Sequence, residues 1–203
     1  RDLRMSRGLG DVYKRQVKGC CIMKAILLSG VHGVGKGFFL DKIKKYIQSY
    51  NIYSASSLIE KFQPSTDAGY KKVSNVNSNQ DVLIKAIEQE RNRNIKDFIL
   101  DGHLCIFNAA GDIVRIPEYF FVETHMNGII LLQDSPCTIC DRITQRDSKK
   151  IDISAIESMQ EEEKKYASEL QNRFHIDYAL ISHECTGEQF LEIIKKIGGD
   201  GIE

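Results

Sequence analysis

This chain is organised around the segment Lys24-Ala25-Ile26-Leu27-Leu28-Ser29-Gly30-Val31-His32-Gly33-Val34-Gly35-Lys36-Gly37. Residues 25–28 are uninterrupted apolar residues, as expected of a central parallel strand covered on both faces. The strand breaks into a glycine loop that ends in Lys36, and a helix is predicted to follow from there. This order of strand, glycine loop and helix is typical of a site that binds phosphate.

The loop from residue 30 to residue 37, called the phosphate loop below, has the groups that such a site needs. Its three glycines at 30, 33 and 35 let backbone N–H groups turn toward an anion, and the helix start adds its dipole. Lys36 is expected to contact the β- and γ-phosphates as a point charge. A plain glycine turn between strand and helix is the alternative. The predicted nucleotide contacts are Gly30, Val31, His32, Gly33, Val34, Gly35, Lys36, Gly37 and Phe38, together with Arg142 further along the chain.

The residue after the lysine departs from the general pattern, which has Ser or Thr there for Mg²⁺, because this chain has Gly37. Gly30-x4-Gly35-Lys36-Gly37 resembles the loop of adenylate kinases. The resemblance implies ATP and Mg²⁺ as ligands, with the metal held mainly through phosphate oxygens and waters. A Thr normally comes next in that family, and this chain has Phe38 instead.

Composition and length favour one globular domain. The chain has 203 residues, 42% of them hydrophobic, and its 28 Lys and Arg balance 28 Asp and Glu, so charge offers no argument for nucleic acid or an anionic membrane. Six cysteines without regular spacing indicate a reducing compartment, with cytoplasm as the expected location. Residues 1–22 are basic at the start, lack a usable period and resemble adapter read-through, so the domain is predicted to span residues 23–203. A genuine basic arm is the alternative.

A further strand ends in a carboxylate, in Asp97-Phe98-Ile99-Leu100-Asp101-Gly102-His103. The carboxyl end of a parallel strand faces the phosphate loop, so Asp101 can hold waters on Mg²⁺ and is the predicted metal residue. A turn aspartate at a strand end is the alternative. Asp101-Gly102 also resembles the start of the adenylate-kinase Asp-Gly-Phe-Pro-Arg motif, but the Pro and the phosphate-gripping Arg are missing.

A closer resemblance covers roughly residues 24–197. It rests on Asp101-x-His103, the run from Asn108 to Pro117, a following strand and an Arg-x3-Arg-Asp run, and it is similar in layout to archaeal-type adenylate kinases. The layout is closer still to bacterial P-loop proteins known only as ATP-binding. The archaeal-type kinases have a lysine four residues after that histidine, where this chain has Phe107. His103 is expected either to orient a phosphate or to satisfy the strand end.

Two arginines follow the next strand, residues 128–134, on a helix that Ser135-Pro136 is predicted to begin. Arg142 and Arg146 are four residues apart and therefore share one helix face. Adenylate kinases place arginines here, at a short lid, so both are predicted to stabilise the transferring phosphoryl group. A solvated basic face is the alternative. Cys137-x-x-Cys140 on the same helix lacks a second ligand pair for zinc and is predicted to be structural.

The acceptor side is predicted from the segment after the second strand, residues 51–55. Hydroxyls at residues 54–57 are placed to cap a helix that runs to Phe62, and family resemblance makes Ser56 and Lys61 acceptor candidates. The polar stretch 64–79, before a helix over 80–87, is interpreted equally well as an acceptor flap or as a surface excursion.

The remaining elements complete an alternating pattern. A long helix over 153–174 is predicted to expose Glu161, Glu162, Glu163, Lys164 and Lys165. A fifth strand over 177–182 and a helix over 189–197 follow. By resemblance, His183 and Thr186 between them are weak candidates for contact with adenine.

Strands that alternate with helices predict an α/β fold with three layers and a five-stranded parallel sheet, and resemblance implies the strand order 2-3-1-4-5. The predicted function is an ATP-dependent phosphotransferase similar to a nucleoside monophosphate kinase. The predicted catalytic residues are Lys36, Asp101, Arg142 and Arg146. A nucleotide-binding switch with slow ATPase activity is the alternative. A polynucleotide kinase would need a basic channel that the sequence does not show.

Overall fold

The computed structural model describes residues 23–62, 76–93, 96–148 and 151–197. The predicted tail of residues 1–22 and most of the polar stretch 64–79 lie outside these residues. The domain boundary at residue 23 therefore stays a prediction.

Five parallel strands form the central sheet. They are β1 (Ala25–Ser29), β2 (Asn51–Ser54), β3 (Phe98–Asp101), β6 (Gly128–Leu132) and β7 (Asp177–Ile181), and their order across the sheet is β2-β3-β1-β6-β7. β1, β3 and β6 are the most deeply buried of the five, as expected of parallel strands covered on both faces. Counted in chain order, the five strands have the order 2-3-1-4-5, so the predicted fold class and strand order are confirmed.

Helices flank this sheet in the described part of the chain. The first ends at Ile43 and gives way to a 3-10 turn over Lys44–Tyr46 before β2 begins. The second and third precede and follow residues 63–75 in the sequence, which are outside the described residues. The helices are α1 (Lys36–Ile43), α2 (Ala55–Phe62), α3 (Val76–Arg93), α4 (Glu118–Glu123), α5 (Pro136–Asp147), α6 (Ile153–Phe174) and α7 (Gly187–Lys196).

Two helices begin at side-chain caps, of which the first was predicted. The Ser135 side chain accepts a hydrogen bond from the Thr138 N–H, and Pro136 occupies the first turn of α5. Thr186 caps α7 in a reciprocal pair with Gln189. These local interactions fix where the helices begin after β6 and β7.

A small antiparallel hairpin, which was not predicted, joins the sheet to α4. Its strands are β4 (Cys105–Phe107) and β5 (Ile113–Arg115). The Asn108 Oδ1 accepts hydrogen bonds from the N–H groups of residues 110 and 112, which closes the turn. Strands of three residues are too short to show an alternating pattern in the sequence.

The core lies on both faces of the sheet. Phe39 of α1 packs edge-on against Phe190 of α7, with ring centroids 5.5 Å apart. On the other side Tyr166 of α6 contacts Phe121 of α4 and donates a hydrogen bond to the Ile116 carbonyl at 2.5 Å. Buried aromatic side chains from four helices therefore contribute to the core.

Within the described ranges, none of the helices combines the length and the apolar character needed to cross a membrane.

Candidate nucleotide-binding site

The phosphate loop packs tightly enough that two of its glycines are required. Gly33 has φ +85°, and a Cβ there would lie 2.4 Å from Cγ1 of Ile143 on α5. Gly35 has φ +96° and forms the cap of α1, with His183 against it. Side chains at these positions would push the loop off its neighbours. Glycine at these positions leaves the loop backbone uncovered by side chains, which suits phosphate binding through backbone N–H groups.

Lys36 lies at the floor of this cradle, with only 9% of its side chain exposed. Its Nζ donates to the Gly30 carbonyl at 2.9 Å and is 3.8 Å from Oδ1 of Asp101. Burial lowers the pKa of the Lys36 ammonium, whereas the charges of Asp101 and Glu163 raise it. The lysine is thus held across the loop by a carbonyl and faces a carboxylate.

His103 supports the same carbonyl. Its Nδ1 lies 2.8 Å from the Gly30 oxygen, so this nitrogen must carry the proton and donate it. Burial, followed by the Lys36 charge, lowers the pKa of His103 to about 3. The imidazole is therefore neutral, and it satisfies the start of the phosphate loop, which is one of the two roles expected for it.

Asp101 ends β3, next to Leu28 of β1 and Ser54 of β2 in the strand register. Burial raises the pKa of its carboxyl, and the Lys36 charge opposes that shift. Mg²⁺ in phosphate-transferring sites typically takes one or two carboxylates and completes its shell with phosphate oxygens and waters. A single carboxylate facing the phosphate loop fits that donor set. The described residues contain no group of three His, Cys, Asp or Glu that could hold a metal without such phosphates.

Arg142 on α5 is tied to the phosphate loop itself. Its guanidinium donates to the Val34 carbonyl at 2.9 Å and forms an ion pair with Asp134, also at 2.9 Å. His183, after β7, donates from Nε2 to the same carbonyl at 2.6 Å. The side chain of Gln160 on α6 accepts a hydrogen bond from the Asp134 N–H and donates one to the Asp134 carbonyl. The chain thus fixes one arginine beside the loop through a network from three elements.

Arg146 is one turn further along α5 and has different partners. It forms two hydrogen bonds of 2.7 Å with the carboxylate of the adjacent Asp147 and also contacts the ring of His32. Burial and the Arg146 charge lower the pKa of His32. The second arginine therefore lies at the outer edge of the phosphate loop.

These groups surround one cleft of about 410 Å³ at the carboxyl edge of the sheet. All four predicted catalytic residues line it. Its wall on the side of α2 carries hydroxyls, and Ser54 and Ser56 lie 3.0 Å apart there. The lining residues are His32, Gly33, Gly35, Lys36, Gly37, Ser54, Ala55, Ser56, Asp101, Gly102, His103, Arg142 and Arg146.

Several predicted residues lie elsewhere. Phe38 is outside the cleft, 72% exposed, with its ring centroid 6.3 Å from that of His183. The side chains of Val31 and Val34 are buried in the core, so any nucleotide contact of these two residues would be through backbone atoms. Lys61 pairs with Glu90 at 2.8 Å, away from the cleft. The cysteines at 137 and 140 are free thiols on α5, the first exposed and the second buried.

One expectation for α6 is wrong. Glu163 was expected on the exposed face but is only 1% exposed, because it lies on the apolar stripe of the helix, among residues such as Met159 and Tyr166. The charged run from 161 to 165 hid this position, although its spacing of three and four from buried residues was a signal that could have found it. Asp134, two residues after the end of β6, is a second carboxylate near a strand end that was not singled out from the sequence.

A five-stranded parallel sheet with a phosphate loop after its central strand, a strand-end carboxylate and cleft arginines defines a P-loop kinase-like nucleotide-binding protein. The family model described as an AAA domain matches residues 29–160, which is more than half of the sequence. The chain belongs to this family.

Two solved structures are similar to this chain over most of its length. The tunicamycin resistance protein of Deinococcus radiodurans superposes with a TM-score of 0.55 at 12% identity, covering 90% of this chain and 98% of that one. A gluconokinase from Sinorhizobium meliloti 1021 gives a TM-score of 0.46 at 11% identity, covering 84% and 89%. No curated protein matches the sequence significantly.

Proposed function

We propose that this protein is an ATP-dependent phosphotransferase that moves the γ-phosphoryl group to a small acceptor in the cleft. A nucleoside monophosphate is the acceptor that the adenylate-kinase resemblance implies. The observation that carries the proposal is the convergence of Lys36, Asp101, Arg142 and Arg146 around one cleft at the phosphate loop. P-loop kinases transfer phosphate by positioning and charge neutralisation, and these residues supply both.

The roles of the four side chains follow from where they lie. Lys36, fixed by the Gly30 carbonyl, would neutralise the β- and γ-phosphates that the loop amides bind. Mg²⁺, when bound, would neutralise phosphate charge, and Asp101 would hold it through its carboxylate or through waters. Arg142 and Arg146 approach from α5 and would stabilise charge on the transferring group.

The acceptor would enter between the phosphate loop and α2. Ser54 and Ser56 present hydroxyls on that wall, and Ser54 is the register partner of Asp101. Hydroxyl groups can donate to or accept from a polar acceptor, so they suit its orientation.

A nucleotide-dependent switch with slow ATPase activity is the second candidate. It is favoured by the bidentate pairing of Arg146 with Asp147, which occupies the guanidinium in the structure. The exposed Phe38 at the position where adenylate kinases have Thr also favours it.

A coupled assay of ADP formation tests the proposal. Purified protein would be supplied with Mg²⁺ and ATP, alone and with each member of a panel of nucleoside monophosphates and small hydroxyl compounds. We expect one acceptor class to raise ADP production well above the background, and Lys36→Ala to abolish that increase. Lys44→Ala, which removes an exposed lysine of the same segment, is the matched control. If no acceptor raises the rate, the switch replaces the kinase.

A further inference from the structure

Glu163 is the most deeply buried carboxylate among the described residues, at 1% exposed. Burying a carboxylate is unfavourable unless hydrogen bonds or opposite charges compensate it. The fold itself does not call for a charge here, since Met159, Tyr166 and Leu170 on the same stripe of α6 are packed in the core. The charge therefore needs another explanation.

The contacts of this carboxylate join three elements. The Ser29 hydroxyl at the end of β1 donates to Oε1 of Glu163 at 2.8 Å. The Leu104 N–H, in the turn after β3, is shared between the Ser29 oxygen at 2.7 Å and Oε1 at 3.3 Å. The N–H of Cys105 also donates to the carboxylate. One side chain of α6 thus links β1 to the start of the hairpin.

Both linked residues adjoin the groups that orient Lys36. Ser29 directly precedes Gly30, and Leu104 directly follows His103. The Gly30 carbonyl accepts from Lys36 Nζ at 2.9 Å and from His103 Nδ1 at 2.8 Å. A change in the spacing of Ser29 and Leu104 would therefore change the position of the carbonyl that holds the lysine.

We propose that Glu163 is a positioning residue of the phosphate loop, which clamps the end of β1 to the turn after β3 and so holds Gly30, His103 and Lys36 in register. Its negative charge also favours the charged form of the Lys36 ammonium. Hydrogen exchange tests the clamp itself without added nucleotide. Its effect on ATP binding rests on the proposed function.

The test compares Glu163→Gln with Glu162→Gln in the full chain. The first variant keeps one oxygen acceptor but replaces the other with an NH₂ group, so the donors Ser29, Leu104 and Cys105 have one acceptor atom fewer. The second removes a carboxylate at the next position, where it pairs with Arg115 at 2.6 Å outside the site. Amide hydrogen exchange of residues 29–37 and 102–105, ATP affinity by calorimetry and thermal unfolding are measured for both.

We expect Glu163→Gln to speed exchange in these two segments and to weaken ATP binding about tenfold, the scale of one charge-assisted hydrogen bond. The unfolding midpoint at neutral pH should equal or exceed that of wild type, because a neutral amide is easier to bury. A purely structural role would move stability and leave ATP affinity unchanged. Glu162→Gln should leave exchange and affinity at the wild-type values.

Ser29→Ala provides a second variant, since it removes the bridging hydroxyl without changing charge. We expect Ser29→Ala to speed amide exchange in the same two segments. The effect of the double variant on exchange should be smaller than the sum of the effects of the two single variants. Unchanged exchange in both single variants, or a loss of stability with unchanged ATP affinity, would overturn the clamp. If wild type itself fails to bind ATP, the proposed function fails, and the exchange data still decide whether the clamp exists.

Discussion

Arg142 and Arg146 lie one turn apart on α5, and their partners divide their roles. Arg142 donates to the Val34 carbonyl and pairs with Asp134, so it links the phosphate loop to α5 and to the segment after β6. Among the described residues, Arg146 contacts the ring of His32 in the loop and pairs with its own neighbour, Asp147. The sequence predicts one shared role for the two arginines, whereas their contacts in the structure differ.

Replacing each arginine by alanine should therefore give different kinetic results. Arg146→Ala is expected to lower turnover by about 10³-fold with little change in ATP affinity, as for an arginine that acts on the transferring group. Arg142→Ala should lower both, because the Val34 carbonyl and Asp134 also lose their partner. Steady-state kinetics and calorimetric ATP binding measure the two effects. Equal losses of affinity in both variants would contradict this division.

Asp101→Asn tests the metal assignment at the same scale. An amide is a weaker ligand for Mg²⁺ than a carboxylate, so the dependence of ATP binding on Mg²⁺ should largely disappear. Binding measured in a chelator should stay near the wild-type value, since Lys36 and the loop amides remain. Asp41→Asn, an exposed change on α1, is the control. A Mg²⁺ dependence that survives in Asp101→Asn would place the metal elsewhere.

At the scale of elements, α5 forms one wall of the phosphate loop. Gly33 lies against Ile139 and Ile143, both fully buried, while the Arg142 guanidinium reaches the loop from the same helix. The first turn of α1 is more open, because a Cβ at Gly37 would meet nothing within 4 Å. A side chain at position 33 would therefore collide with α5, whereas position 37 has room for one.

Gly33→Ala and Gly37→Ala should accordingly differ in stability. Gly33→Ala forces a side chain into φ +85° and against Ile143, so we expect it to lower the free energy of unfolding by about 1–3 kcal/mol. Gly37→Ala should change it by less than about 1 kcal/mol, because alanine is the better helix former there. Urea unfolding of both variants measures the difference. A stable Gly33→Ala protein would mean that the loop and α5 can separate at little cost.

At the scale of the whole molecule, the buried carboxylate of Glu163 makes stability depend on pH. Burial raises the pKa of Glu163 above its ordinary value of 4.5, although Ser29 and Lys36 oppose the shift. Between the unfolded and folded pKa values, the folded state therefore binds more protons than the unfolded state. Stability contributed by this residue is lost as the pH rises through that window.

Wild type and Glu163→Gln should consequently diverge above about pH 4.5. We expect the variant to gain stability relative to wild type as the pH rises from about 4 to about 8, because its amide does not ionise. Unfolding in urea across this range measures the difference. A constant difference at all pH values would show that the pKa of Glu163 is the same in both states.

Much of the fold could be predicted from the sequence because its signals are local. The apolar run before Gly30, the Ser135-Pro136 cap and the alternation of strands with helices each depend on residues close together in the chain. The same is true of the phosphate loop and of Asp101, which ends a recognisable strand. The family resemblance added the strand order, which the sheet confirms.

Only the tertiary structure decided which distant groups meet. Glu163 lies 134 residues from Ser29, and Arg142 lies 108 residues from the Val34 carbonyl it holds. No local period records such pairs, because the direction in which a helix face points is set by packing against the sheet. The charged run around Glu163 favoured an exposed face, and the burial of Tyr166 and Met159 on the same stripe overrode it. The sequence by itself determined the sheet and the phosphate loop, and packing determined the contacts that hold the loop in place.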